Sequence, residues 1–464
     1  MLGLAVALTC TNVVSVYAAE GENYRIETYS SNNNKVEASG NDQKQENGDV
    51  SATGKGETAV KTTDNAKASV NGNVSVNGDT TTGVESKNNS SVNVSGDVTA
   101  EGTGTLGIIA DDKSNVMVGG TVKADGSRAV GINSKGEVTA GGVLVKGADS
   151  TGVLATQGGK VTINNDVKVV EQNRGTLSSP VSGVEADSDG KVTVKGNVEV
   201  EGIGAIGIKS TQGEVNVNGN VKASGTPQNN QNGETVGISA KGSKVSVKGD
   251  VISDGKGMHI IKSDTGLNSI VEVNGSVTGS SGVVTNNGSK VTVGGAITAT
   301  GGTGLNITMK ETTGSGKIKL GTLNVTKEDK TGILLDVKNK NINSIDELVK
   351  AMPEVNLFEI NVKQGKYFDI DDGTTSDTIS GTTISKKEAA DRILKEKVKY
   401  SFRTEKTSNA NISLEQNEAT EGTTVKFYVK AVDGYQVKGV SAGKAKVIDN
   451  GDGSYSIIVP RGGG

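Results

Sequence analysis

One cysteine, one histidine, four prolines and no tryptophan occur in 464 residues, and aromatics make up only 3%. Each scarcity closes an option. With Cys10 alone there is no disulfide framework, so an exported chain must be held by hydrogen bonding and stacking. Four prolines beside 66 glycines, without a triplet repeat, exclude a collagen-like chain. A hydrophobic content of 33% is too low for several large globular cores and suits a narrow one lined by Val, Ile and Ala. The net charge of -4 comes from 49 basic and 53 acidic residues without long like-charge runs. That pattern carries no footprint of a nucleic-acid partner or a polybasic membrane binder.

The one apolar stretch is residues 1–19, MLGLAVALTCTNVVSVYAA. It ends in Val16-Tyr17-Ala18, the small-x-small pattern of a cleavage site, and reads as a signal peptide that lacks its positively charged start. Thr9, Thr11 and Asn12 interrupt it, so no membrane span is expected in the mature chain. Residues 20–56 are polar and read as a disordered arm or a ragged first coil.

What the chain has in abundance is a repeat. Lys67–Gly78 (KASVNGNVSVNG), Ser91–Gly102 (SVNVSGDVTAEG) and Asn115–Gly126 (NVMVGGTVKADG) superpose at a spacing of 24 residues. A period of that size is the signature of stacked coils. A second anchor, a small residue before an aliphatic, recurs at Ala59-Val60, Gly83-Val84, Gly107-Ile108 and Gly131-Ile132. It continues with looser spacing through Val153, Val184, Ile208, Ile238, Met258, Val283 and Leu305 to Gly332-Ile333. Polar inserts at 172–180 and 226–234 read as corner loops. Within each coil the residue after the anchor is mostly polar and the next one small, as in Val84-Glu85-Ser86. Period two sends these to opposite faces, aliphatic and small inward, polar outward. Gly96, Gly196 and Gly249 fall where the chain must bend at a corner. The expectation is an all-β fold, a parallel β-solenoid of about 11–12 coils over residues 57–336, whose coils close a core only by stacking.

The repeated G-[VI]-x-[SA] and V-x-V-x-G-[DN]-V pattern resembles the parallel β-helix (pectin-lyase-like) repeats of bacterial adhesin-like surface proteins. That resemblance implies a secreted or cell-surface protein.

Past Leu335 the pattern stops. Ser344-Ile345-Asp346-Glu347 and Ser385-Lys386-Lys387-Glu388 are capping boxes that open two helices, the second running to about Val398. With strand-like alternation between them, residues 337–399 read as a mixed α/β cap or linker. Residues 400–464 read as β again, including GYQVKGVSA, with a tight turn at Asn450-Gly451-Asp452-Gly453. Glu421–Pro460 resembles the β-sandwich-like "bacterial repeat" modules of Gram-positive surface proteins. Those modules carry a further strand after the proline, which implies that this one is truncated and the chain part of a longer surface protein.

No constellation points to catalysis. Asp111-Asp112 is the best carboxylate pair, but the equivalent positions one coil on are Lys135 and Gly136. Asp187 and Asp189 face Thr211 and Gly213. His259 sits in an outward polar column and reads as a solvated residue. Asp369-x-Asp371-Asp372-Gly373 has the start of a calcium loop, yet its twelfth position is Ser380, not Glu, so a surface turn is expected. No catalytic, cofactor-binding or metal-binding residue is therefore expected. The expected role is a non-catalytic adhesin-like scaffold with an extracellular protein or glycan as partner. The alternative is a glycan-binding surface protein, with Phe427, Tyr428 and Tyr435 as its possible contacts. A polysaccharide-processing β-helix enzyme is the remaining rival, since pectin-lyase-like folds include lyases and hydrolases.

Overall fold

A computed structural model describes residues 34–172, 180–225, 234–261, 266–338, 340–405 and 407–464. The signal-peptide stretch and nearly all of both corner loops lie outside the described residues. The chain divides into two compact units, one of Met1–Ser239 with Ser243–Ser246, the other of Ala240–Gly242 with Val247–Gly464. Both are built as parallel β-solenoid, about 12 turns in all.

In the first unit a coil consists of three short strands and three corners, as in Thr58–Thr63, Lys67–Val70 and Val74–Asn77. Each strand pairs in parallel with its counterpart one coil on. The anchor column runs Val36, Val60, Val84, Ile108, Ile132, Val153, Val184 and Ile208, each in register with the next. Every one of these residues is buried. Two places further along the strand, Thr62, Ser86, Ala110, Ser134, Ala155, Ala186 and Ser210 are buried as well. These positions are small because the interior is narrow. The Thr62 hydroxyl donates to Ser86 Oγ at 3.0 Å between coils, and the Ser134 hydroxyl to the Gly136 carbonyl at 3.0 Å within its own.

The glycine before each anchor has a steric cause. A Cβ on Gly83 would lie 2.5 Å from Val98 Cγ1 and 2.6 Å from the Gly107 carbonyl oxygen, and Gly207 is pinned the same way by Val221 and Gly237. Here the constraint is close approach.

A second device holds the corner between the second and third strands. Asp49 Oδ1 accepts from the Asn73 N–H at 2.7 Å, Asn73 Oδ1 from the Asp97 N–H at 2.9 Å, and Asp97 Oδ1 from the Thr121 N–H at 2.8 Å. Side chains thus satisfy backbone donors one coil away, where the strand ladder is interrupted. Lys123 Nζ, 2.6 Å from Asp97 Oδ2, adds to this. Together with the Thr121 hydrogen bond it holds the Asp97 carboxyl below its usual range.

Residues 34–56 form a complete first coil, with strands Val36–Ser39, Gln43–Glu46 and Val50–Thr53. Its Gln43–Glu46 strand has no apolar residue, and Glu46 is buried in the column that Val70 continues.

In the second unit the anchor column runs Met258, Val283, Leu305, Ile333 and Phe368. The repeat was expected to stop past Leu335, and it does not. Strands Glu354–Leu357, Glu359–Val362 and Lys366–Asp371 pair in parallel with the preceding coil. Helix α1 (Ile345–Ala351) sits between Thr331–Asp336 and Glu354–Leu357, lengthening the sequence interval while the register stays intact. Its N-cap is as expected, with Ser344 Oγ accepting from the Glu347 N–H at 3.2 Å. Helix α2 (Lys386–Lys397) is capped by Ser385 and buries Ala389, Ala390, Ile393 and Leu394. Val398–Ser401 then pairs in parallel with Glu354–Leu357, so Tyr400 belongs to the solenoid. Glu418–Thr420 closes that edge by pairing antiparallel.

The terminal module is a four-stranded antiparallel sheet in the order Ala410–Leu414, Thr424–Ala431, Ser454–Ile458, Val447–Asp449. Residues 450–453 make the expected turn, with Gly451 and Gly453 at φ 77 and 81. GYQVKGVSA, by contrast, forms no strand. Its alternating Tyr435 and Val437 are both exposed, and the segment has no ladder partner among the described residues.

Candidate functional site

The three residues proposed as ligand contacts do not form one site. Phe427 and Tyr428 are successive residues of the strand Thr424–Ala431 and face opposite sides of its sheet. Phe427 is buried and stacks on Tyr455 with ring centroids 5.7 Å apart, so its role is packing. Tyr428 is exposed, donates to Glu415 Oε1 at 3.1 Å and lies under Lys426 Nζ. Tyr435 stands on the unpaired segment with 55% of its surface open.

The carboxylates remain dispersed. Register places Ala110 beside Ser134, so the positions facing Asp111 and Asp112 on the next coil are Lys135 and Gly136. Asp187 faces Thr211. His259 is half-buried, paired with Val284.

The calcium-like loop turns out to be filled by lysines. Asp369 pairs with Lys366 at 2.9 Å, Asp371 with Lys338 at 2.6 Å, and Asp372 with Lys386 at 2.6 Å. Asp372 also accepts from Thr374 N–H at 2.9 Å and Ser380 N–H at 2.6 Å, and its side chain is only 4% exposed. Burial pushes its carboxyl up, but the Lys386 ammonium and the Thr374 and Ser380 donors outweigh burial and hold it well below the carboxylate range. Among the described residues no group of three His, Cys, Asp or Glu side chains could hold a metal.

Aromatics locate the remaining candidate. Every described one lies between Phe358 and Tyr455, in the second unit. There an open groove of about 430 Å³ is lined by Thr298, Asn324, Asn361, Val362, Lys363 and Tyr367, among others. Thr298, Asn324 and Asn361 come from the third strands of successive coils and are in register. Their polar groups therefore repeat at about 4.8 Å. The Asn361 carboxamide is fixed on both ends: Nδ2 donates to Asn324 Oδ1 and to Glu359 Oε2, each at 3.1 Å, and Oδ1 accepts from Lys444 Nζ at 3.0 Å. Lys444 is itself paired with Glu359, and Lys363 with Glu328 at 3.0 Å, so the walls carry compensated charge. Tyr367 is half-exposed beside the anchor Phe368, in the column where earlier coils place Gly304 and Gly332. A Cβ on Gly462 would stand 2.7 Å from Tyr367 Cε1, and the Gly462 carbonyl accepts from Ile360 N–H at 2.7 Å.

No family model, curated protein or solved structure matches the chain. Tyr367 lies beyond Leu335, where the sequence pattern of the repeat ends, and so escaped notice as a solenoid residue. The usable signal was the polar residue between aliphatics in L-N-V and I-N-V. The groove is lined by a tyrosine, amides and hydroxyls, groups of the kind that could hold a polar ligand; no helix of the described residues is long and apolar enough to cross a membrane.

Proposed function

We propose that the protein is a secreted or cell-surface, non-catalytic β-solenoid that acts as an adhesin-like scaffold, presenting extended columns of side chains to an extracellular protein or glycan. The observation that carries this reading is the outward face of the first unit. Many of its charges pair with the opposite sign between coils: Lys168 with Glu199 at 3.0 Å, Lys209 with Glu185 at 3.3 Å, and Glu214 between Lys191 and Lys244, each at 3.4 Å, although Lys160 stands beside Lys191 and Glu101 beside Asp125. A surface whose charges mostly offset one another gives little field to gather a polyanion such as nucleic acid, while it displays polar groups over a long repeat. The apolar first 19 residues and the cysteine-free remainder support export, and the repeat pattern supports kinship with bacterial parallel β-helix surface proteins.

The test is location. Antibody against the first unit should label intact producing cells or detect the chain in their medium. Labelling that appears only after lysis would overturn the reading.

A further inference from the structure

We propose that the groove lined by Val362 and Tyr367 is a binding subsite for a neutral oligosaccharide. Sugar recognition needs an apolar platform for the C–H face of a pyranose ring and fixed polar groups for its hydroxyls. Tyr367 supplies the platform, and it stands in the second unit, which holds every described aromatic. Thr298, Asn324 and Asn361 supply the second requirement as a ladder with the coil spacing of about 4.8 Å, close to the length of one sugar ring. The ladder is preorganised: Asn361 is clamped by Asn324, Glu359 and Lys444, so its neighbour's amide is oriented before a ligand arrives. Asn324 Nδ2 has no partner among the described residues and is the donor best placed for a hydroxyl.

Charge decides the ligand class. Both lysines at the groove are paired, Lys363 with Glu328 and Lys444 with Glu359. Among the described residues a uronic acid or phosphorylated glycan would meet no unpaired cation there and would compete with an existing ion pair. Gly462 packs its backbone so closely on the Tyr367 ring that a Cβ would stand 2.7 Å from Cε1, which fixes the ring in place.

This inference rests on the scaffold reading only in that the sugar is held and released unchanged. The purified full chain is titrated by calorimetry with cellotetraose, maltotetraose and tetra-N-acetylchitotetraose, and with trigalacturonate as the charged comparison. At least one neutral tetrasaccharide binds, and is recovered intact, while trigalacturonate binds about tenfold more weakly or not at all. Tyr367→Ala weakens the neutral ligand about tenfold or more, as expected for an aromatic anchor. Asn324→Ala, which disturbs no backbone contact, weakens it several-fold with an unchanged thermal transition, and Tyr435→Ala leaves affinity as it was. The proposal is overturned if no neutral tetrasaccharide binds, if binding survives both Tyr367→Ala and Asn324→Ala, or if Tyr435→Ala abolishes it. Because the measurement uses purified protein, a negative result leaves surface location untouched, and an intracellular location leaves the binding result standing.

Discussion

A Cβ on Gly83 would stand 2.5 Å from Cγ1 of Val98. The first strand of one coil and the third strand of the same coil meet there with no space for a methyl group, and the Gly107 carbonyl closes the other side. Gly83→Ala should therefore force a backbone shift costing about 1–3 kcal/mol. Asn133→Ala, on the outward face, should change stability by less than about 0.5 kcal/mol. Urea unfolding followed by far-ultraviolet circular dichroism checks both; equal midpoints for the two variants would refute the steric account.

The corner ladder makes a separate prediction. Asn73 both donates its N–H to Asp49 and accepts from the N–H of Asp97. Asn73→Ala removes the acceptor and should cost about 1 kcal/mol, whereas Asn73→Asp keeps that acceptor but sets a second carboxylate where Nδ2 had donated to Asp49 Oδ1 at 3.2 Å, and should cost at least as much. Hydrogen exchange at the Asp97 amide gives the local reading, with faster exchange expected in the alanine variant alone.

Asp372 and Lys386 form the most deeply buried ion pair described, with side chains 4% and 11% exposed. Lys386→Met leaves the carboxylate buried without its cation and should destabilise the second unit by about 3 kcal/mol. The pH dependence follows from the sign of the shift. The folded Asp372 carboxyl lies below its ordinary value of 3.8, so its contribution is complete above that pH and is lost only as pH falls through the lower folded value. Acid unfolding of Lys386→Met should accordingly begin at a higher pH than that of the native chain. Coincident acid titrations would show that the pair does not hold this loop.

In the terminal module, Phe427→Ala should cost about 3 kcal/mol because it empties the space against Tyr455, while Tyr435→Ala should cost less than about 0.5 kcal/mol. Thermal unfolding monitored by tyrosine absorbance separates them.

The stacked architecture was legible because inward positions repeat nearly the same residue. Val60, Val84 and Ile108 announce one column by their spacing alone. The two ends were harder for a physical reason. The first described coil carries Gln43–Glu46 where others place aliphatics, and among the described residues it has a neighbouring coil on one side only. In the last coils α1 lengthens the interval between Ile333 and Phe368, and α2 that between Val355 and Val398, so residues that pair in register stand far apart in sequence. Capping signals at Ser344 and Ser385 were legible because they are local. The groove was not legible: Thr298, Asn324 and Asn361 lie far apart in the chain and become neighbours only through register.

The glycine column has a consequence for how such a chain changes length. Gly83 and Gly107 make the same contacts at a spacing of 24 residues, each followed by an inward aliphatic. Excision of residues 84–107 would join Gly83 to Ile108, restore the same motif at the junction, and seat Ile108 on Val60 where Val84 had been. Loss or duplication of one such segment adds no new kind of contact and breaks no column. Length in this region is therefore a quantity that recombination between repeats can step up or down by whole rungs, without the chain having to solve its folding problem again.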